Sequence, residues 1–240
     1  MGSVAFDGVV LSDLYTVLVK RGVASRNVDY EAVPGRDGVA VKGVDYAPPT
    51  LSLVFVLEPG SDAPSAVREL SALLATREPR KLELGEDFGL YCMAMPYGEP
   101  SWRRLPNGSS VEFPFLIMDA AMYGTLRTAT VPSGGSVTFT VGGTYPTKPK
   151  ITASAAVRNS STGMWGLTLD NGPVLAYAFG SNTSRAVSAD CDTRSSRVDG
   201  DIALPTLSST WFELEPGSHT VNMHTGTGAA VIEWRERWLA

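Results

Sequence analysis

Apolar and polar side chains alternate with a period of two along much of this 240-residue chain, the pattern of strands buried on one face. Val137, Phe139 and Val141 alternate with Ser136, Thr138 and Thr140, and Gly142-Gly143 closes that strand. Val221 and Met223 alternate with Thr220, Asn222 and His224, and residues 163–169 are a further candidate strand. At the end of the chain Ala230, Ile232, Trp234 and Trp238 share one face, and Glu233, Arg235 and Arg237 share the other. This predicts a half-buried strand with a charged outer face and both tryptophans in the core. Two stretches are apolar throughout. LSLVFVL at 51–57 predicts a strand covered on both faces. VEFPFLIM at 111–118 is similar, but Pro114 argues for an edge or a bulge.

Turn signals punctuate these runs. Val33-Pro34-Gly35-Arg36 places Pro and Gly as a type II turn wants them, and Asp37-Gly38 follows at once. A hairpin between residues 27–33 and 39–46 is predicted. Only one stretch has helical spacing. Ser61-Asp62 can cap it, and Pro64 fits its first turn. Ala63, Ala66, Val67, Leu70, Leu73 and Leu74 fall on one face, and Glu78-Pro79 ends it. One helix among strands at 8–12-residue spacing predicts a mainly β protein built from sandwiches.

Charge divides the chain. Residues 1–125 carry 11 Lys+Arg and 16 Asp+Glu, a net of −5, whereas residues 126–240 carry 9 of each. The second stretch is also richer in Gly, Ser and Thr. Two domains, 1–125 and 126–240, are predicted. The overall net charge of −5 argues against a sequence-specific nucleic-acid binder. No apolar run reaches the ~18 residues of a membrane span. No signal peptide is apparent at the N-terminus, so a protein made in a cytoplasm is expected.

No catalytic constellation emerges. His219 and His224 are five residues apart on a predicted strand and point to opposite faces. Cys92 and Cys191 read as buried, unpaired thiols rather than a disulfide or metal pair. Asp190, Asp192 and Asp199 read as solvated strand-end residues. A calcium site or a glycosidase pair is the sharper alternative, but a glycosidase needs two carboxylates facing across a cleft at ~5–9 Å. Asn107, Asn159 and Asn182 begin Asn-x-Ser triplets that read as turns. No metal, cofactor or catalytic residue is expected. Trp165, between Gly163 and Gly166, is the residue with a possible contact to carbohydrate or a partner, although tryptophan more often packs inside.

The order of features resembles one family. Phe6-Asp7-Gly8, Leu11-Ser12-Asp13-Leu14, the Gly35, Asp37, Gly38 hairpin turn, the 51–57 strand and the single helix resemble the belt domain of siphophage distal tail proteins. Gly142-Gly143-Thr144-Tyr145-Pro146 resembles that family's entry to a galectin-like sandwich. Trp211 to Val221, with its Pro216-Gly217 turn, and the closing WRERWL resemble that domain's last strands. His219 stands where the family often has Asn. The resemblance implies a structural, non-catalytic virion protein assembled in the host cytoplasm. It also implies a hexameric ring joining tail tube to tape-measure, tail-tip and receptor-binding proteins, with DNA free to pass through. The alternative is a free, lectin-like carbohydrate-binding sandwich.

Overall fold

A computed structural model describes residues 3–35, 37–58, 63–85, 89–106 and 108–239, without the Ala63 side chain. The predicted helix cap at Ser61-Asp62, Arg36 of the hairpin turn and Asn107 lie outside the described residues. The chain folds as two compact units that meet in sequence between Tyr123 and Gly124, inside the strand Ala121–Val131.

In the first unit the apolar run forms the strand Leu51–Leu57, flanked by Thr16–Arg21 on one side and Gly108–Ile117 on the other. Burial on both faces is what its unbroken apolarity predicts. Phe55 meets Tyr15 and Phe113 edge-on at ring distances of 6.0 and 5.7 Å. Asp7 and Gly8 both have positive φ, as the tight turn between Val4–Phe6 and Val9–Val10 requires. The helix Ala63–Leu73 presses Ala66 and Leu70 into this core, and Leu74, just past its end, joins them. It stops before the predicted Glu78-Pro79, and Leu73 turns to solvent instead of joining the buried face.

Pro114 does not mark an edge. Gly108–Ile117 is paired on both sides, to Leu51–Leu57 throughout and to two shorter strands opposite, Ser101–Leu105 and Tyr91–Pro96. Pro114 falls in the gap between those two, where its carbonyl accepts the Tyr97 N–H at 2.9 Å. Main-chain N–H and C=O of one residue point the same way in such a ladder, so the missing donor faces the gap and costs no ladder bond.

The second unit is a β-sandwich. One sheet runs Asp201–Ile202, Ser195–Val198, Arg185–Asp190, Lys150–Ala156, Ala230–Leu239 and Ala121–Val131, and the other runs Ser136–Val141, Gly217–Thr225, Met164–Leu169 and Val174–Ala178. Ile151, Val187, Ile232 and Trp234 of the first sheet pack with Trp165, Leu167, Tyr177 and Val221 of the second. Trp238 is corrected by the structure: it is 37% exposed. The alternating face reaches Glu236 after Trp234, and Glu236 receives Arg127 Nε at 3.1 Å, so the apolar stripe ends there.

Candidate self-association surface

The strands Ser25–Ala32 and Val39–Ala47 form a two-stranded antiparallel ribbon that, among the described residues, pairs with no other strand. Its tip is the predicted turn: Gly35 and Gly38 have φ of +76° and +106°, with Asp37 between them. Cross-strand partners share a face of such a ribbon. Val28 faces Val44, Tyr30 faces Val41, and Ala32 faces Val39, with Arg26 and Tyr46 at the base. A bulge after Asp29 keeps these partners in step. The opposite face carries Asn27, Asp29, Glu31 and Asp45, with Lys42 reaching Glu31 at 2.6 Å. The ribbon is therefore amphipathic, yet Tyr30 and Val41 are 62% and 59% exposed. Two strands alone are marginal in water, and an apolar face of this kind normally has a cover. The alternation of Val28 with Tyr30 and of Val39 with Val41 was present in the sequence. What it lacked was any sign that this face meets solvent in the lone chain.

The remaining candidates do not converge on a catalytic or metal site. Trp165 is 1% exposed and sits in the sandwich core, out of reach of a stacked sugar or a partner. Its neighbour Gly166 is small because strand Val174–Ala178 passes so close that a Cβ there would lie 2.6 Å from Ala176 Cβ. The glycine marks a tight backbone approach, not an open surface. Asp190 accepts the N–H groups of Asp192 and Thr193, at 2.9 and 3.2 Å, and so caps its own turn. Asp199 is held by the Ala186 N–H and by Arg185, which together keep its carboxyl below the usual range. Among the described residues no three His, Cys, Asp or Glu side chains are placed to hold a metal. Cys92 and Cys191 are buried and unpaired, and burial pushes their thiols up to about 12 and about 11.

Two family-like motifs act as structural ties. Gly143 has φ +105°, and Thr144 and Tyr145 both donate their N–H to the Arg237 carbonyl at 2.9 and 3.1 Å. Arg237 reciprocates with a hydrogen bond to the Pro146 carbonyl at 3.0 Å, its guanidinium 4.8 Å from the Tyr145 ring centre. After Pro216, Gly217 with φ +137° opens the strand that carries His219.

His219 makes a tie that sequence spacing conceals. Its ring nitrogens lie 2.6 Å from an Asp170 carboxylate oxygen and 2.7 Å from the Glu215 carbonyl. Both neighbours accept, so the protonated ring, with both nitrogens donating, is the form this site favours. Burial opposes that charge, but the Asp170 and Glu215 oxygens outweigh it and raise the pKa above the ordinary histidine value. Burial likewise works against the Asp170 carboxylate, yet the Thr220 N–H and His219 hold its pKa down. A raised histidine pKa gives stability that is complete below about 6.5 and is lost as pH rises through the folded value. The depressed Asp170 pKa gives stability above its unfolded value that is lost in acid. The melting temperature of the native chain is expected to fall from pH 6 to pH 9 more steeply than that of His219→Gln. Parallel thermal melts of the two proteins check this.

Against known proteins, residues 142–238 match the model of the siphovirus-type tail component, C-terminal domain. Most of the second unit is thus similar to that domain. No curated protein sequence is similar to the chain. Among solved structures, the Dit protein of phage SPP1 is similar over 100% of both chains, with 18% identity and a TM-score of 0.80. That protein is described as a paradigm of the hub adsorption apparatus in phages infecting Gram-positive hosts. At that identity the likeness establishes a shared fold, first unit included. A chain of the phage p2 baseplate in its calcium-bound, activated conformation matches 98% of this chain and 91% of its own. Its identity is 10% and its TM-score 0.45, a likeness too slight to argue from. Through the match of residues 142–238 to a tail-component domain the chain is a structural component of a phage tail, and it shares the fold of the SPP1 Dit protein along its whole length.

Proposed function

We propose that this tail component forms a ring of six copies at the distal end of a siphovirus tail, built by its first unit. The second unit turns outward to partner proteins. The ribbon carries the reading: an amphipathic, strand-paired arm with its apolar face in water suits a subunit that is completed by another copy. The number six comes from the family that the sequence resembles. The acidic balance of residues 1–125 fits a negatively lined channel, which would repel passing DNA rather than grip it. On this reading the partners are tail-tube, tape-measure, tail-tip and receptor-binding proteins, and the protein acts without cofactor or catalysis in the virion after assembly in the host cytoplasm.

The competing reading, a free lectin-like sandwich, drew on the galectin-like second half and on Trp165, and burial of that indole removes the second of these. Negative-stain electron microscopy with light scattering on the purified chain is expected to show closed rings of six. A strict monomer that binds a glycan array would favour the lectin and refute the ring.

A further inference from the structure

We propose that Asn171 is a site of spontaneous modification, turned into aspartate and isoaspartate by its own backbone at a pace set by opening of the hairpin turn that holds it. The chain contains two Asn-Gly pairs, Asn107-Gly108 and Asn171-Gly172, of which Asn107 lies outside the described residues. In such a pair the glycine nitrogen, with no Cβ beside it, can reach the asparagine side chain. The Gly172 nitrogen attacks Asn171 Cγ and forms a five-membered imide, and the side-chain NH2 leaves as ammonia, carrying off the amide proton. Water then adds to one of the two imide carbonyls. Opening at the side-chain carbonyl gives aspartate, and opening at the main-chain carbonyl gives isoaspartate. No oxidant, metal or second enzyme takes part.

The fold exposes this pair and restrains it at the same time. Asp170 and Asn171 occupy the centre of the tight turn between Met164–Leu169 and Val174–Ala178, with φ of +48° and +58°. Asn171 is exposed, so water is at hand. Yet Gly172 donates its N–H to the Leu169 carbonyl at 2.8 Å, which engages the attacking nitrogen. The Asn171 carboxamide oxygen accepts from Asn222 at 3.2 Å, which draws the group under attack toward the strand Gly217–Thr225. The turn is tied to that strand as well. The Asp170 N–H donates to the Thr220 carbonyl at 2.8 Å, and the Asp170 carboxylate accepts the Thr220 N–H at 2.7 Å and His219 at 2.6 Å. Cyclisation therefore waits for a local opening in which these bonds let go together. The products then weaken the turn that made them. Each adds a carboxylate next to Asp170, and isoaspartate also routes the main chain through an extra carbon inside a tight turn. Ammonia is lost, so the change accumulates with time.

Ageing the full chain tests this. One sample is kept folded in warm neutral buffer and another in guanidinium chloride at the same pH and temperature. Both are digested, and residue 171 is read by mass spectrometry, through the mass gained when OH replaces NH2 and through the fragments particular to isoaspartate. Asn171 is expected to convert in both, at least about tenfold more slowly in the folded sample. His219→Gln cuts one tie of the turn. At a temperature where both chains stay folded it is expected to speed conversion severalfold, and to leave the denatured rate unchanged. Asn222→Ala frees the carboxamide and serves in its place if His219→Gln misfolds. Gly172→Ala is expected to slow conversion severalfold in the denatured chain. Gly172 has no positive φ, and a Cβ there would meet only the Leu169 carbonyl oxygen at an ordinary 3.6 Å, so this variant is expected to fold. Equal rates in folded and denatured chain, or a folded rate unmoved by loosening the turn, would overturn the proposal. So would a folded chain that keeps Asn171 intact while the denatured sample converts fully. Undiminished conversion in Gly172→Ala would overturn it too, by excluding the glycine nitrogen as the attacking atom.

Discussion

Replacing Trp165 by alanine is expected to cost about 3–5 kcal/mol of folding free energy, the range of a large aromatic removed from a packed interior. The indole is among the largest fully buried side chains and lies between the two sheets of the second unit. It faces Tyr177 across the strand pair. Gly226 approaches so closely that a Cβ there would lie 3.0 Å from the Trp165 ring. With the backbone held this tightly on one side, the site has little freedom to collapse, and the cavity term stays large. Denaturant unfolding followed by the remaining tryptophans would measure it. A loss under 1 kcal/mol would mean that the sandwich repacks without the ring and that Trp165 is not a central core residue.

The second large effect is expected at Gly143→Ala. Here φ is +105°, and a Cβ would lie 2.1 Å from the Arg237 carbonyl oxygen, which is backbone and cannot swing away. Backbone strain of about 1–3 kcal/mol is joined by overpacking of about 1–3 kcal/mol. The substitution should also part Thr144 and Tyr145 from that carbonyl, so the ladder near the chain's end loosens. Hydrogen exchange of the Thr144 and Tyr145 amides is expected to quicken along with the fall in stability. Gly134→Ala tests a different cost: φ is +66°, but no atom lies within 4 Å of the new Cβ, so strain acts without collision. If both variants lost the same amount, the collision at Gly143 would be irrelevant.

Local pattern carried much of the fold. The run at Leu51–Leu57 is apolar because both of its faces are covered, and the ribbon turn is written in Pro34, Gly35 and Gly38. Ala230, Ile232 and Trp234 share a buried face, as their spacing predicts. The misses have long-range causes. Pro114 sits in a central strand because two short strands happen to leave a gap opposite it. Trp165 looked accessible between glycines, whereas Gly166 is small because Leu175 and Ala176 crowd it. The His219–Asp170 tie spans 49 residues and shows only once the strands are paired. The candidate surface was legible as a hairpin but not as a surface. Whether the Val28 and Tyr30 face turns to core or to water depends on elements far along the chain.

The buried thiols bear on the lifetime of the particle. A tail waiting outside a cell has no glutathione or thioredoxin to reverse oxidation, and its proteins must last as made. Oxidation begins at a thiolate that solvent can reach. Cys92 and Cys191 are each 1% exposed and stay protonated far above neutral pH. The protein carries two cysteines through an oxidising exterior with both thiols shielded by burial, so a single cysteine engineered onto its surface would be its one readily reactive thiol.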